Sequence, residues 1–168
     1  MTTAGGSRYE TGVALVAGGS GGLGAAICEA LAKAGSDVAL TYNRNAGAAE
    51  ATAKRVREAG RQASVTQLDL ANEDEVARFV AGARDAFGAI HTVVYAAGPY
   101  VAMRYVSRLD SEEFRQTVST DIFGAYHLIH AALPHLRESR GVLVALTTTA
   151  TRRYAVKDIM SVAPKAAV

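Results

Sequence analysis

One glycine-rich segment constrains this chain more than any other part of its sequence. Residues 13–24 read VALVAGGSGGLG, an apolar strand-like run that enters a turn and then a segment with helical spacing. Glycines in such a turn adopt backbone angles closed to other residues, and they let amide groups approach a phosphate at the helix start. Because strand, turn and helix occur together, the segment predicts a dinucleotide-binding βαβ unit. A turn that is glycine-rich for structural reasons alone is the alternative.

The rest of the chain alternates strand-length apolar runs with longer segments of helical period. This alternation predicts an α/β fold, a three-layer doubly wound parallel sheet of Rossmann type with about five strands. The expected strands are 13–17, 37–42, 63–68, 90–95 and 142–147, and the expected helices are 22–34, 46–59, 72–87 and 111–137. Residues 165–168 resemble the opening of one more helix, after Ser161 and Pro164 as its first turn.

Size and composition fit one domain. The chain has 168 residues, of which 49% are hydrophobic and 20% charged, so it can bury a single sizeable core. Residues 1–8 are polar and predict a flexible N-terminus, and residues 9–168 form the expected dinucleotide-binding domain. That domain is expected to be incomplete at its C-terminus, because the last helix opens where the sequence stops.

The net charge and the single cysteine limit the kinds of molecule that the protein is expected to bind and the compartment in which it is expected to act. The net charge of +2 comes from 18 basic and 16 acidic residues spread along the chain, which argues against nucleic acid or an anionic membrane as a partner. No signal peptide and no apolar run of membrane-spanning length is found. The single cysteine, Cys28, lies in an apolar helical pattern and is expected to be buried. A cytoplasmic protein with a small-molecule substrate is the resulting expectation.

The glycine spacing and two later motifs carry a resemblance to a known family. Gly18, Gly22 and Gly24 follow a G-x-x-x-G-x-G arrangement, Asp69 follows the third predicted strand, and residues 96–98 read AAG. Together they resemble the short-chain dehydrogenase/reductase family, whose glycine turn, adenine-contacting acid and N-A-G turn have these places. The resemblance covers essentially the whole chain from residue 13 onward and implies a nicotinamide dinucleotide cofactor.

Two residues depart from the family's cofactor motifs: Ala17 stands where the family usually has threonine, and Ala96 where it has asparagine. The turn thereby lacks one hydrogen-bonding hydroxyl, and we expect binding to survive this loss. The resemblance implies cofactor contacts from Gly18, Ser20, Gly21, Gly22, Leu23, Gly24, Asn43, Arg44, Asp69, Leu70, Ala96, Ala97, Gly98 and Lys165.

The end of the second strand predicts which cofactor is preferred. Enzymes that use NAD commonly have an acid there, which bonds the adenosine ribose and repels a 2′-phosphate. Here the position is Tyr42, followed by Asn43 and Arg44. An arginine makes charge-assisted bonds to phosphate, so NADP(H) is favoured over NAD(H). A solvated Arg44 without a ligand is the alternative.

The catalytic positions depart further from the family. The resemblance implies hydride transfer accompanied by proton transfer through a tyrosine, whose pKa is lowered by a lysine four residues later. Lys165 fits the lysine, but Ser161 stands at the tyrosine position. Thr148 stands where the family has its carbonyl-binding serine, and Asp121 where it has a supporting asparagine. An aliphatic hydroxyl is far less acidic than a phenol, so tyrosine chemistry is excluded at Ser161.

Other groups are candidates for the missing acid. Tyr154 lies in the loop after the fifth strand and could swing into the site, and Asp158 could supply a proton if burial raised its pKa. Water is a third source, and a solvated Lys157–Asp158 pair is the plainer interpretation of that acid. In the family the lysine also bonds the nicotinamide ribose, so Lys165 argues for cofactor binding more than for catalysis.

The predicted helix 111–137 carries His127, His130 and His135. No thiolates or carboxylates complete a metal site around them, so no metal is expected and packing or interface roles are favoured. This helix matches the family's subunit-contact helix, and the resemblance therefore implies a homo-oligomer that forms through it.

These observations lead to one principal hypothesis and two alternatives. The first is an NADP(H)-dependent oxidoreductase of the short-chain dehydrogenase/reductase type, which transfers hydride to a carbonyl or enoyl substrate. The second is a nucleotide-binding pseudoenzyme or regulatory protein, which the changed residues at Asp121, Thr148 and Ser161 favour. The third is a structural subunit that pairs through the long helix.

Overall fold

The structure is a computed structural model that describes residue 9 and residues 11–98 and 100–168. The flexible N-terminus predicted at 1–8 therefore lies outside the described residues. The strands are β1 (Val13–Ala17), β2 (Asp37–Tyr42), β3 (Ala63–Gln67), β4 (Ile90–Tyr95) and β5 (Val142–Ala145). The α-helices are α1 (Gly22–Lys33), α2 (Ala46–Glu58), α3 (Glu73–Phe87), α4 (Ser111–Ser139) and α5 (Ile159–Ala167).

The five strands form one parallel sheet in the order β3-β2-β1-β4-β5. This arrangement confirms the predicted doubly wound α/β fold. The chain first moves outward from β1 to β3 and then returns to the other side of β1 through β4. Such a reversal opens a crevice beyond the carboxyl ends of β1 and β4, where ligands of open α/β sheets bind.

Helices cover both faces of the sheet. Because successive side chains of a strand point to opposite faces, neighbouring residues of β1 enter different cores. Leu15 packs in a buried cluster with Leu128 and other residues of α3 and α4. Val16 packs in a second buried cluster with Cys28 and other residues of α1 and α2. The result is the three-layer arrangement expected from the sequence, with Cys28 buried as predicted.

Three helices begin at a side chain that accepts a hydrogen bond from the first turn. Asn45 accepts from the amide of Ala48 before α2, and Asn72 accepts from Glu75 before α3. Asp110 accepts from two amides of α4. These side chains satisfy amide groups that have no partner within the helix. The starts of α1 and α5 are different, because neither Gly21 nor Asp158 forms a side-chain cap.

The last helix corrects one expectation. Helix α5 begins at Ile159, and Lys165 lies in its last turn, whereas the sequence suggested that the helix opens near Lys165. The amides of Ser161 and Val162 bond the Asp158 carbonyl oxygen at 3.1 and 2.9 Å, so the first turn forms there. Pro164 was misleading because proline favours the first turn. Here it lies in the interior of the helix and is buried.

Smaller differences concern element ends. Strand β3 ends at Gln67 and β5 at Ala145, one and two residues earlier than expected. The amide of Leu146 still bonds the Tyr95 carbonyl oxygen at 2.9 Å, so the chain stays close to β4 for one more residue. None of the described helices, including the 29 residues of α4, is long and apolar enough to cross a membrane.

Candidate functional site

A groove of about 580 Å³ lies at the carboxyl edge of the sheet. It runs from the loop after β2, past the glycine turn, to the segment after β4 and the middle of α4. Its lining residues are Gly18, Ser20, Thr41, Tyr42, Asn43, Arg44, Asn45, Leu68, Asp69, Leu70, Tyr95, Ala97, Gly98, Tyr100, Thr120 and Asp121. Many residues that the sequence suggests for cofactor binding are therefore brought together along one surface.

The glycine turn leaves no room for a side chain at Gly18, Gly19 or Gly24; a Cβ atom at Gly19 would lie 2.6 Å from the Cβ atom of Leu40. Gly18 has φ +82°, and a Cβ atom there would lie 2.8 Å from the Cα atom of Ala97. A Cβ atom at Gly24 would overlap the carbonyl oxygen of Gly18. The turn is thus packed tightly against itself and against the segment after β4. This packing fixes the direction in which α1 leaves the sheet.

Gly22, by contrast, faces open space. Apart from its chain neighbours and the backbone of its own helix, no atom of the described residues lies within 4 Å of a Cβ atom placed at this residue, and Leu23 beside it is exposed. Within the described residues, the first-turn amides of Gly22, Leu23 and Gly24 have no hydrogen-bond acceptor. Uncapped amides at the positive end of a helix, without side chains in front of them, form a site that fits a phosphate group.

A threonine from the neighbouring strand supplies a hydroxyl to this turn. The amide of Gly18 donates to Oγ1 of Thr41 at 3.2 Å, and Thr41 is buried. Sequence reasoning found no threonine at Ala17 and missed Thr41, because Thr41 is distant from the turn along the chain. Its only signal was a polar residue near the end of an otherwise apolar strand. The turn therefore has a hydroxyl partner from β2.

The end of the groove near β2 carries a positive charge. Arg44 is exposed and forms no ion pair with any described residue. The backbone carbonyl of Asn43 accepts a bond from Nε2 of Gln67 at 3.0 Å, which ties this loop to β3. Asp69 lies across the groove and accepts a bond from the amide of Ala71 at 3.0 Å.

The other end of the groove contains a hydrogen-bonded cluster of three side chains. Lys165 donates from Nζ to Oδ1 of Asp121 at 2.9 Å and to the Ala97 carbonyl oxygen at 2.8 Å. The Tyr95 hydroxyl donates to the same Asp121 oxygen at 2.6 Å. The Lys165 ammonium also lies 4.8 Å from the centre of the Tyr95 ring. Asp121 and Tyr95 are almost completely buried, and Lys165 is mostly buried.

This environment keeps the Tyr95 phenol protonated. Burial, followed by the hydrogen bond and the negative charge of Asp121, raises the pKa of Tyr95 far above its ordinary value. The phenol therefore acts as a hydrogen-bond donor to Asp121 and is a poor acid. Sequence reasoning missed Tyr95, because a tyrosine at the end of a buried strand is also typical of a core residue.

Thr148 and Ser161 form no described hydrogen bond to the cluster of Lys165, Asp121 and Tyr95. Oγ1 of Thr148 accepts from the amide of Ala150 at 3.2 Å, so it begins the short 3₁₀ turn 149–151. Ser161 lies in the first turn of α5, one turn before Lys165, and is half-buried. Among the residues that the structure describes, no hydrogen bond joins either hydroxyl to Lys165 or Asp121.

Tyr154 and Asp158 line a separate cavity of about 200 Å³. Tyr154 is 90% exposed, and Asp158 is the residue that precedes α5. Lys157 forms no ion pair with Asp158 within the described residues; its ammonium lies 4.7 Å from the centre of the Tyr105 ring. The expected Lys157–Asp158 pair is therefore replaced by a cation–π contact.

The histidines of α4 are used in local contacts. Nδ1 of His127 lies 3.0 Å from the Leu70 carbonyl oxygen and donates to it when protonated there. His130 stacks on Tyr126, with ring centres 5.4 Å apart. In the described part of the chain, no three metal-ligating side chains cluster together. Phe123 and Tyr126 remain more than half exposed on this helix.

A larger cavity, about 760 Å³, lies on the other side of the β3 edge, against α3. Ser64 and Thr66 of β3 and Arg78 of α3 belong to its lining. It meets the groove at Asn43 and Asp69. However, its lining contains no residue of the glycine turn, which lines the groove and leads into the uncapped start of α1. Volume alone therefore does not select it as the site.

The chain is similar to solved dehydrogenases. It superposes on a xylitol dehydrogenase with bound NAD⁺ with a TM-score of 0.89 and 26% identity, over 95% of this chain and 62% of that one. An alcohol dehydrogenase from the archaeon Thermococcus sibiricus, complexed with 5-hydroxy-NADP, gives a TM-score of 0.84 and 28% identity, over 94% of this chain and 67% of that one.

Sequence comparison gives the same result. An uncharacterized oxidoreductase of Escherichia coli (strain K12) is 31% identical over 154 residues, 91% of this chain and 51% of that protein. An L-fucose dehydrogenase of Mus musculus is 31% identical over 145 residues, 84% of this chain and 50% of that protein. The chain thus spans about half the length of the curated relatives it matches. A family model described as short chain dehydrogenase matches residues 12–168, and the chain therefore belongs to the short-chain dehydrogenase family.

Proposed function

We propose that the groove binds NADP(H) with its pyrophosphate at the start of α1. The observation that carries this proposal is the contrast between α1 and the capped helices. The amides of Gly22, Leu23 and Gly24 are free of side-chain caps, and no described residue beyond its chain neighbours and its own helix comes within 4 Å of a Cβ atom placed at Gly22. A pyrophosphate would accept bonds from these amides and gain from the helix dipole.

The preference for NADP(H) over NAD(H) rests on Arg44 and its neighbour Asn43. No acid follows β2, and the exposed guanidinium of Arg44 is available to bond a 2′-phosphate. Asp69 and Leu70 lie across the groove and would contact the adenosine. Ser20 and Gly21 would contact the phosphates. The segment of Ala96, Ala97 and Gly98 would contact the part of the cofactor that lies between the phosphates and Lys165.

The proposed reaction is hydride transfer between the cofactor and a small carbonyl or enoyl substrate. The matching relatives include named dehydrogenases, which supports a reaction of this class. Thr148 would hold the substrate oxygen, and Lys165 would orient the nicotinamide ribose. The proton would come from water, Asp158 or Tyr154, because Ser161 is too weak an acid.

A binding or regulatory role without turnover is the second candidate. The observation that favours it is that Asp121 and Ala97 take two of the three donors of Lys165. With serine at position 161, the phenol beside Lys165 is that of Tyr95, which donates to Asp121 and has a raised pKa. Lys165 therefore has no acidic phenol to activate. In this case the groove would still bind the nucleotide.

We further propose that the protein is a cytoplasmic homo-oligomer that assembles through α4. Phe123, Tyr126 and Leu133 are exposed apolar side chains on this helix. Exposed apolar clusters of this kind favour subunit contacts. Together with the balanced net charge of +2, these residues support a protein partner of the same sequence and argue against nucleic acid or a membrane surface.

Two titrations test the proposed function. NADPH and NADH are added separately to the purified protein, and binding is followed by their fluorescence. We expect saturable binding of both, with NADPH about tenfold tighter, which corresponds to one charge-assisted phosphate contact. Equal affinities would overturn the NADP(H) preference, and no binding of either would overturn the cofactor proposal. Oxidation of NADPH with a panel of ketones and enones then separates reductase from pseudoenzyme.

A further inference from the structure

A buried carboxylate, that of Asp121, lies at the opposite end of the groove from Arg44. Asp121 is 2% exposed, and its Oδ1 atom accepts bonds from both Lys165 and Tyr95. Two donors on one oxygen, one of them an ammonium, indicate an ionised carboxylate. The side chain also belongs to the groove lining. Its negative charge is therefore both buried and close to any ligand in that part of the groove.

Asp121 changes the net charge of this end of the groove. The Lys165 ammonium alone would contribute +1, whereas the Lys165–Asp121 pair is neutral. Asparagine would offer an oxygen acceptor of the same shape to Lys165 and Tyr95 without the charge. An aspartate at this position therefore differs from an asparagine mainly in electrostatics, and not in the hydrogen bonds that it can accept.

If the pyrophosphate binds at Gly22 and the adenosine near Arg44, the nicotinamide end of the cofactor reaches Gly98, Lys165 and Asp121. This placement rests on the proposed function. The oxidised nicotinamide ring carries a positive charge, and the reduced ring is neutral. A nearby buried carboxylate attracts the first and has little effect on the second, because charge interactions are strong where water is excluded.

We propose that Asp121 sets the relative affinity of the groove for oxidised and reduced cofactor. It does so by cancelling the positive charge of Lys165 next to the nicotinamide ring. The carboxylate thereby favours the oxidised form, and with it the bound state from which hydride is accepted. Asp121 is a specificity-determining residue for the redox state of the cofactor and need not take part in proton transfer.

The experiment measures dissociation constants for NADP⁺ and NADPH by isothermal titration calorimetry. In Asp121→Asn we expect the ratio of the NADP⁺ constant to the NADPH constant to rise about fivefold, because the lost charge interacts with only one redox form. Asp69→Asn is the matched control. It removes a carboxylate from the adenosine side of the same groove, so both constants should change together and their ratio should stay constant.

A thermal melt monitored by circular dichroism shows whether Asp121→Asn folds. If it does not, a second variant takes its place. Thr120 lies beside Asp121, is exposed, and lines the groove. Thr120→Asp adds a carboxylate at the same end and should lower the ratio about twofold, since an exposed charge is partly screened.

The outcomes separate the two proposals. If the wild-type protein binds neither NADP⁺ nor NADPH, the proposed function is wrong and this inference fails with it. If both forms bind and the folded Asp121→Asn variant keeps the wild-type ratio, only the role of Asp121 is overturned. If Asp121→Asn does not fold, the Thr120→Asp variant decides. An unchanged ratio of the two constants in Thr120→Asp then overturns the role of Asp121. A ratio that rises in Asp121→Asn and falls in Thr120→Asp supports the inference, and the reverse pattern overturns it.

Discussion

Nζ of Lys165 lies 2.9 Å from Oδ1 of Asp121, and this contact joins α5 to α4 beneath the carboxyl edge of the sheet. The two side chains are 14% and 1% exposed. A pair with so little access to water differs from a surface ion pair, because each charge relies on the other to offset its desolvation. The stability of the last helix and the charge of the groove therefore depend on the same two residues.

Removal of Lys165 should cost more stability than removal of both charges. Lys165→Met leaves the Asp121 carboxylate buried without its cation, and we expect the free energy of unfolding to fall by about 3 kcal/mol. The double variant with Asp121→Asn should recover part of this loss. Urea denaturation measures both values. As a control, Lys33→Met breaks the exposed Lys33–Glu29 pair at 2.6 Å and should have a much smaller effect. Equal losses in the single and double variants would contradict this account.

Two glycines of the turn should respond differently to alanine. Gly24→Ala places a methyl group against the Gly18 carbonyl, so we expect the free energy of unfolding to drop by about 2 kcal/mol or more. Among the described residues, Gly22→Ala meets no atom within 4 Å outside its chain neighbours and its own helix, so it should change stability by less than about 0.5 kcal/mol. Its methyl group would take space that the proposed pyrophosphate needs, so NADPH binding should weaken about tenfold. Thermal melts measure the change in stability, and NADPH titrations measure the change in affinity. A Gly24→Ala variant as stable as the wild-type protein would show that the turn has room for a side chain at this position.

Arg44 should discriminate between the two cofactors. Arg44→Gln removes the guanidinium expected at the 2′-phosphate, so NADPH affinity should fall about tenfold while NADH affinity stays within about twofold. Arg137 in the last turn of α4 offers a matched control, since it is exposed and precedes β5 at the opposite edge of the sheet. Arg137→Gln should leave both affinities unchanged. A parallel loss of NADPH and NADH binding in Arg44→Gln would show that the arginine does not recognise the phosphate.

The Cys28 thiol makes stability depend on alkaline pH. Burial raises the pKa of Cys28 from 9.0 to about 12, against smaller opposing effects of a backbone hydrogen bond and Arg55. Well below pH 9 the thiol is protonated in both states and contributes no pH dependence. Above pH 9 the unfolded chain loses the proton first, so the free energy of unfolding falls by about 1.4 kcal/mol by pH 10.

Urea denaturation from pH 7 to pH 10 measures this fall. Cys28→Ala removes the thiol, so its curve should decline less steeply than that of the wild-type protein, whatever its stability at pH 7. Other titrating groups, including Tyr95, whose pKa is also raised by burial, are common to both proteins and cancel in the comparison. Parallel curves would mean that the thiol ionises in the folded state as readily as in the unfolded chain.

The sequence predicts the strands and most helices because buried parallel strands are continuous apolar runs. β1 and β4 are recognisable in this way, and Asn72 marks the start of α3 through its side chain. The start of α5 is predicted wrongly because Pro164 resembles a first-turn residue. Pro164 lies instead in the helix interior and is buried there, a tertiary position that the local sequence does not reveal.

The glycine turn could be predicted, and the family resemblance named Asp121 and Lys165, but the contacts that join these two residues to Tyr95 could not be predicted. Tyr95 and Asp121 are 26 residues apart, and Asp121 and Lys165 are 44 residues apart. No local pattern links them, since they meet only when β4, α4 and α5 pack together. Thr41 was missed for the same reason: its hydroxyl reaches Gly18 across 23 residues of sequence.

The most direct test of the account is to locate the NADPH site by amide NMR. Titration of the isotope-labelled protein with NADPH should shift the resonances of Gly22 at the start of α1 and those of Arg44 and Gly98, which line the groove. Those of Ser64 and Arg78, in the larger cavity beside β3, should stay in place. Shifts confined to Ser64 and Arg78, or no shifts at saturating NADPH, would contradict the claim that this groove is the cofactor site.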